Sequence, residues 1–456
     1  MSVGSRIFYR HNIFYTPATT NHRPRKAAVL KLIVTVIDGM GDIPEEELGG
    51  KTPLEVAETP HMNLLSREGA TGLMYAVRKG MAPESDVAVI SILGYDPFKY
   101  HTGRGPLEAL GSGIRIEEGN LALRCNFATL GPNNQILDRR AGREITPEEA
   151  SQLSQAVNEQ VRLEGYPASL ELKGTIEYRC VLVIRSKAAP FSSAISNTDP
   201  HYARVQGLGV AISGASSTLQ ECTPLESGEA ARNAALVVNE FTRKSHKVLD
   251  QHPVNLERVR KGKPKANLIL TRDAGSTLPK LPSMDGKFHA RFACLADMPV
   301  ERGIATVAGM SLIDLPPPSG DIAGDYRIRA ETVLEKIESY DCIYVHIKGP
   351  DIPSHDGDAH RKVRNIARID RSFLGNLVPK IDLDRYLICV TADHTTSWKQ
   401  KEHTDHPVPL VVAGRGVSRD GIEKFCEKTC QTGSLGVLSH GTELMPMLMR
   451  YLNRSG

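Results

Sequence analysis

Three apolar, β-branched runs in this chain each lead to an aspartate: Leu32 to Ile37 before Asp38, Ile343 to Ile347 before Asp351, and Leu387 to Thr391 before Asp393. Two of them continue to a histidine, as Asp351-Ile352-Pro353-Ser354-His355 and Asp393-His394, and Glu402-His403-Thr404 follows shortly after. Carboxylate oxygen and imidazole nitrogen are the donors that Zn2+, Mn2+ and similar divalent ions accept. Open α/β sheets place their ligands beyond the carboxyl ends of the strands, so the pattern predicts these groups converging on one sheet edge. There are more donors than one ion needs, which points to two ions close together. Taken singly, each motif has an ordinary reading: an Asp-Gly turn at Asp38-Gly39, an N-capping Asp351, an Asp393–His394 hydrogen bond. Together at three strand ends they favour a metal centre. Asp351 and His355 meet if one helical turn joins them, and Pro353 is tolerated in a first turn. An ionised Asp393 beside a neutral His394 is costly to bury without an ion or partner. His403 and His406 each offer an imidazole to complete the second ion.

A metal pair of this kind needs something to act on. Pro83-Glu84-Ser85-Asp86 opens a predicted helix, whose positive end stabilises an alkoxide or a phosphate. An ion on the Ser85 hydroxyl would make it a nucleophile at neutral pH. Locally, Ser85 reads as an ordinary N-cap, and the metal cluster's need for a nucleophile is what selects it. Arg139, Arg140 and Arg143 carry the forks that bind carboxylate and phosphate. Asp199, His201, Arg104 and Arg272 are further candidates for substrate contact.

The elements that must position these residues follow a βα rhythm at both ends of the chain, which predicts an α/β fold with a mostly parallel sheet flanked by helices. At the start come a strand before Asp38, a helix near 53–67 and a helix from Ser85. Later come a strand near Ile304, a helix at 325–339, strands at 342–347 and 386–391 with a helix at 359–378 between them, an apolar run at 409–413, and a closing helix at 441–452. The middle carries helices at 147–163 and 227–244 and a strand at 180–184, but none of the strand-end aspartates. We therefore expect a discontinuous core of 32–110 plus 286–456 and an inserted, smaller α/β cap domain at 111–285.

Composition sets bounds. The chain has 456 residues, 40% hydrophobic and 24% charged, with a net charge of +3. That charge is too small to argue for nucleic acid, and no apolar run approaches the roughly 18 residues of a membrane helix. The eight cysteines lack paired spacing and read as reduced core thiols of a cytoplasmic protein. Residues 1–31 hold Arg6, Arg10, Arg23, Arg25, Lys26 and Lys31 and no acid. They read as a disordered leader, with organellar targeting as the alternative.

Asp38-Gly39, Ser85, Asp351-x-x-x-His355, Asp393-His394 and His403 together resemble the alkaline phosphatase superfamily. More closely, Leu93-Gly94-Tyr95-Asp96-Pro97, Gly105-Pro106-Leu107-Glu108-Ala109-Leu110-Gly111, Arg124-Cys125-Asn126-Phe127-Ala128-Thr129, Asp138-Arg139-Arg140-Ala141-Gly142-Arg143, Val345-His346-Ile347-Lys348 and Gly433-Ser434-Leu435-Gly436 resemble the archaeal-type, cofactor-independent phosphoglycerate mutases. The resemblance runs from about residue 32 to the C-terminus. It implies an alkaline-phosphatase-like core and interconversion of 3- and 2-phosphoglycerate through a phosphoserine on Ser85, without 2,3-bisphosphoglycerate. It favours His403 over His406. It assigns Asp38, Ser85, Asp393 and His394 to one ion and Asp351, His355 and His403 to the other, with Mn2+ foremost and Zn2+ or Mg2+ as alternatives. A phosphatase or phosphotransferase acting on another small hydroxylated metabolite is the competing function.

Overall fold

The computed structural model describes residues 30–205, 208–212 and 216–453, so residues 1–29 of the basic leader lie outside it. An eight-stranded sheet runs, edge to edge, through Ser311–Leu312, Phe292–Leu295, Cys342–Ile347, Lys31–Ile37, Tyr386–Thr391, Val408–Ala413, Gly69–Met74 and Gly436–Leu438. Five of its seven pairings are parallel, and Val408–Ala413 is the antiparallel member. The three strands that lead to aspartates are neighbours. Lys31–Ile37 lies between the other two, with Ile37 opposite Ile347 and Val36 opposite Thr391. All three are buried along their whole length, which is why they read as continuous apolar runs rather than alternating ones.

A second, antiparallel sheet is built from residues 121–275. Leu121–Leu130 pairs with Arg179–Ser186, with Leu268–Gly275 and, at its end, with Ile136–Asp138, and Ala168–Gly174 pairs with Arg179–Ser186. The helices Pro147–Gln160 and Glu229–Asp250 bury their apolar faces in this sheet's own core. The helix Arg104–Gly111 joins the two units. Its Leu107 belongs to the core of the large sheet, while its Ala109 packs with Ala122, Val181 and Val183 of the second.

Two expectations need correction. The strand expected near Ile304 is a helix, Pro299–Val307. Ile304 to Val307 has β-branched character, but Pro299 opens the helix as its first residue, and Val300 and Ile304 share one buried face at helical spacing. The single helix expected near 53–67 is two, Pro53–Val56 and Pro60–Glu68. Pro60 lacks an N–H to continue the first and biases Thr59 to φ −128°.

A buried polar knot braces the turn after the first strand. Lys362, fully buried, donates to the Asp42 carboxylate (2.7 Å) and to the carbonyls of Gly41 (2.9 Å) and Thr396 (2.7 Å). Glu427 accepts from the Asp42 N–H (3.0 Å) and the Thr52 hydroxyl (2.7 Å). Burial pushes the Glu427 carboxyl up to about 7, against those hydrogen bonds and the Lys362 charge. The folded protein therefore holds a proton there that the unfolded chain has lost above the ordinary glutamate value. Stability from this group is full at about pH 4 and is lost as pH rises through 7. Glu427→Gln should remove that slope, worth roughly 3 kcal/mol across the window. Urea unfolding of both proteins between pH 4.5 and 7.5 checks it; parallel pH profiles would contradict the assignment.

Candidate active site and metal centre

The first strand ends at Ile37 and the chain turns at once through Gly39, whose φ of +61° lies in the left-handed region. The turn aims Asp38 back over the sheet edge and points the Gly39 N–H at Asp393 Oδ1, 3.1 Å away. Asp393 lies two residues beyond its strand and is fully buried. Asp351 is the first residue of the helix Asp351–Asp356, which carries His355 one turn on. The hairpin Thr395–Ser397 with Glu402–Thr404 then returns His403 to the same edge. Ser85 is the first residue of the helix Ser85–Ile92, with Glu84 in the N-cap position. Its hydroxyl is therefore not a cap, and it sits 3.3 Å from His394 Nε2.

The hydrogen bonds fix the histidine tautomers. His403 Nδ1 lies 2.8 Å from the carbonyl of Pro83, and His355 Nδ1 lies 2.8 Å from the carbonyl of Lys401. A carbonyl only accepts, so both Nδ1 atoms carry protons. Thr396 Oγ1 donates to Asp351 Oδ1 (2.9 Å), so it accepts from His394 Nδ1, also at 2.9 Å. Each Nε2 is left facing carboxylate: His394 lies 3.3 Å from Asp38 Oδ1 and 3.4 Å from Asp393 Oδ2, His403 lies 3.5 Å from Asp351 Oδ1, and His355 lies 3.4 Å from the same oxygen. A lone pair opposed to carboxylate oxygens at that range is repulsive unless a cation lies between them. An imidazole whose second nitrogen is held by a fixed acceptor is also the usual arrangement of a metal ligand.

Two triplets offer donor atoms within 4.8 Å of one another: Asp38, Asp393 and His394, and Asp351, His394 and His403. His394 belongs to both, and its ring stacks on that of His403 at 3.8 Å. Asp38 Oδ1 is buried with no hydrogen-bond partner. Burial pushes the Asp351 and Asp393 carboxyls up. The neighbouring imidazoles, joined at Asp393 by Lys348, outweigh it and hold both well below the usual carboxylate range. Burial lowers His403, yet Asp351 and Glu84 raise it to about 10. The donor set and its negative field fit divalent cations. His406 is half-exposed, with Nδ1 3.1 Å from the Thr404 hydroxyl, and lies outside both triplets.

Three side chains at this edge escaped sequence reasoning as individual residues. Lys348 Nζ bridges Asp38 Oδ2 and Glu301 Oε1, both at 3.1 Å. His346 Nε2 lies 3.3 Å from Asp393 Oδ2. Glu301 comes from the helix Pro299–Val307, the segment misread as a strand, so nothing could have flagged it. His346 and Lys348 stand in the motif that carries the family resemblance, which was the available signal.

The candidate substrate residues fall into two groups. Arg104 and Arg272 lie near the Ser85 helix. Arg104 is engaged with Glu108 (3.0 Å) and Glu84 (3.5 Å). Arg272 stacks on the Tyr202 ring at 3.7 Å, and its Nε and Nη1 are buried without hydrogen-bond partners. Arg124, on the adjacent strand, is register-paired with Arg272, and its Nε is likewise unpartnered. Two buried guanidiniums side by side with free N–H groups make an anion receptor, although Glu108, 3.6 Å from Arg124, and Asp273, 3.8 Å from Arg272, offset part of the charge. The second group lies in the second sheet's unit. Arg139 grips Asp199 with two bonds (2.9 and 2.7 Å), and the His201 N–H donates to the same carboxylate (3.2 Å). Asp199 is thus a brace for Arg139. Arg140 and Arg143 join Arg139, Asp138 and His201 around a cleft of about 530 Å³.

Comparison with known proteins gives a consistent result. A family described as 2,3-bisphosphoglycerate-independent phosphoglycerate mutase matches residues 66–255. Proteins of that name from Aeropyrum pernix and Methanopyrus kandleri are 40% and 38% identical, each over 93% of this chain and over 100% and 97% of their own lengths. Among solved structures, a Pyrococcus horikoshii protein aligns with a TM-score of 0.75 at 30% identity, covering 94% of this chain and 99% of its own. A cofactor-independent phosphoglycerate mutase from Thermoplasma acidophilum aligns with a TM-score of 0.58 at 31% identity, covering 94% and 100%.

The turn at Gly39 leads to a direct test. A Cβ there would stand 2.7 Å from Thr396 Oγ1 and 2.9 Å from Asp351 Cβ, at a φ that side chains rarely adopt. Gly39→Ala should displace the Thr396 hydroxyl that holds both Asp351 and His394. We expect divalent-ion affinity to fall about 10- to 100-fold and stability to drop by roughly 1–3 kcal/mol. Calorimetric titration with Mn2+ and a thermal melt measure the two effects. Unchanged affinity would remove Thr396 from its role in orienting the ligands.

Proposed function

The chain belongs to the 2,3-bisphosphoglycerate-independent phosphoglycerate mutase family, and from that premise we propose that it interconverts 3- and 2-phosphoglycerate through a phosphoserine on Ser85. One observation carries the reading. Three imidazoles with committed Nδ1–H groups turn their Nε2 atoms toward Asp38, Asp351 and Asp393, with the Ser85 hydroxyl beside His394. Asp38, Ser85, Asp393 and His394 would hold one divalent ion and Asp351, His355 and His403 the other, with Mn2+ foremost and Zn2+ or Mg2+ as alternatives. Such ions neutralise phosphoryl oxygens and lower the pKa of a bound hydroxyl.

Ser85 Oγ attacks phosphorus, the bond from phosphorus to the glycerate oxygen breaks, and that oxygen takes up a proton. Glycerate re-orients, its other hydroxyl attacks the phosphoserine, and Ser85 is regenerated. No bisphosphoglycerate enters this cycle. The Ser85–Ile92 helix presents its positive end to the negative charge that builds at Oγ. Lys348, held between Asp38 and Glu301, adds a fixed cation at the same edge. Arg272, through its unpartnered N–H groups, is our assignment for the glycerate carboxylate. Arg104 braces Glu84 and Glu108, and the arginines of the cleft guide the substrate in. We assign residues 111–285 as the cap and 32–110 with 286–456 as the core. The cap must exclude water, because an exposed phosphoserine loses its phosphate. Eight free, buried cysteines favour a reducing, cytoplasmic setting. Among the described residues no helix is long and apolar enough to cross a membrane.

Protein stripped of metal and resupplied with Mn2+ should exchange the two phosphoglycerates without added bisphosphoglycerate, with little free phosphate seen by phosphorus NMR. Ser85→Ala should lose at least about a thousand-fold in turnover while still binding the metal. Free phosphate without isomer exchange would make the protein a phosphatase, and exchange surviving in Ser85→Ala would remove the phosphoserine.

A further inference from the structure

Arg143 belongs to a loop built with unusual rigidity. Ala141, Gly142 and Arg143 stand at φ of +44°, +77° and +56°, three successive residues in the left-handed region. Two of them carry side chains, an arrangement that survives only where its surroundings enforce it. The enforcement is visible. The Asp138 carboxylate accepts from the N–H groups of Arg140 (2.7 Å) and Gly142 (2.9 Å). Arg258, almost fully buried, donates to the carbonyls of Ala141 (2.9 Å) and Glu144 (3.2 Å). A Cβ on Gly142 would meet Pro264 Cγ at 2.9 Å. The loop is locked to its own unit, yet its last side chain leaves that unit. Arg143 Nη1 lies 2.7 Å from Asp356 Oδ1. Asp356 is the final residue of the helix Asp351–Asp356, directly after His355. Its other oxygen lies 3.2 Å from Arg361, within the core.

We propose that the Arg143–Asp356 ion pair is a latch that holds the cap against the metal-bearing helix, and that it sets how often the phosphoryl group returns to glycerate rather than to water. The inference rests on the phosphoserine reading above. The phosphoserine has two fates. Attack by a glycerate hydroxyl breaks the Oγ–phosphorus bond, returns a proton to Ser85 and yields phosphoglycerate. Attack by water breaks the same bond in the same way and yields inorganic phosphate. The two differ only in what reaches phosphorus, so a contact that biases cap closure changes their ratio. Both partners are partly exposed, with side-chain exposures of 35% and 28%. Such a pair shifts a closed population by up to about five-fold and is weakened by salt.

The test uses the full chain loaded with Mn2+ and follows phosphate released per isomer exchanged. Asp356→Asn should raise that ratio two- to five-fold at unchanged metal content, whereas Arg361→Gln, which removes only the contact within the core, should leave it at the wild-type value. Added KCl should raise the ratio in the wild type and leave Asp356→Asn flat. Arg143→Lys should restore most of what Arg143→Gln loses. A ratio indifferent to Asp356→Asn and to salt would overturn the latch. So would an equal rise in Arg361→Gln, or a rise that vanishes once lost metal is resupplied. A wild type that shows no isomer exchange would instead overturn the phosphoserine reading, leaving the two failures distinguishable.

Discussion

The sheet edge concentrates negative charge and nitrogen lone pairs that cannot coexist without cations, and much of the surrounding structure serves to hold them there. Fixed acceptors on Nδ1 are the means. The Pro83 and Lys401 carbonyls and the Thr396 hydroxyl each take an imidazole proton. No tautomeric shift can then relieve the opposition between Nε2 and carboxylate without giving up one of those bonds. Only a cation, whether protons or metal ions, resolves it. The rise of His403 to about 10 and the depression of Asp351 and Asp393 express the same field from its two sides.

That concentration is possible because the three aspartates leave adjacent strands in matched register. Ile37 pairs with Ile347 and Val36 with Thr391, so the strands end side by side and differ mainly in the element each one enters next. The first enters a glycine turn, the second a six-residue helix, and the third a hairpin. The hairpin completes the arrangement by bringing Thr396 and His403 opposite one another. One strand pair thereby supplies both an orienting hydroxyl and a candidate ligand.

The legible part of this design was the part written in local pattern. Buried parallel strands read as apolar runs, and an aspartate at the end of such a run is conspicuous, so Asp38, Asp351 and Asp393 and the histidines beside them could be chosen from the chain alone. Pairing between distant segments needed three dimensions. Glu301 reaches Lys348 only because Pro299–Val307 is a helix, and its β-branched residues argued otherwise. Arg124 and Arg272 are neighbours only through strand register, and that places the unpartnered guanidinium atoms together. Asp199 stood out only as a candidate for substrate contact, and the two bonds it accepts from Arg139 and the one from the His201 N–H needed the fold to be seen.

Charge held in this way couples folding to metal. Asp38 Oδ1 has no hydrogen-bond partner, and a buried oxygen of that kind destabilises the fold until an ion or proton meets it. The Asp42–Lys362–Glu427 knot lies directly behind the Gly39 turn. It differs in that its polar atoms meet direct hydrogen bonds, from Lys362 to Asp42 and from the Asp42 N–H and the Thr52 hydroxyl to Glu427. The site is therefore a strained edge mounted on a satisfied base. Ions that bind the folded edge and not the unfolded chain raise stability in proportion to the logarithm of their concentration. The base braces the turn that carries Asp38. An edge that relaxed without its ions would have to reorganise at each loading. Thr396 and the Pro83 and Lys401 carbonyls orient the imidazoles through bonds that leave the Nε2 atoms out.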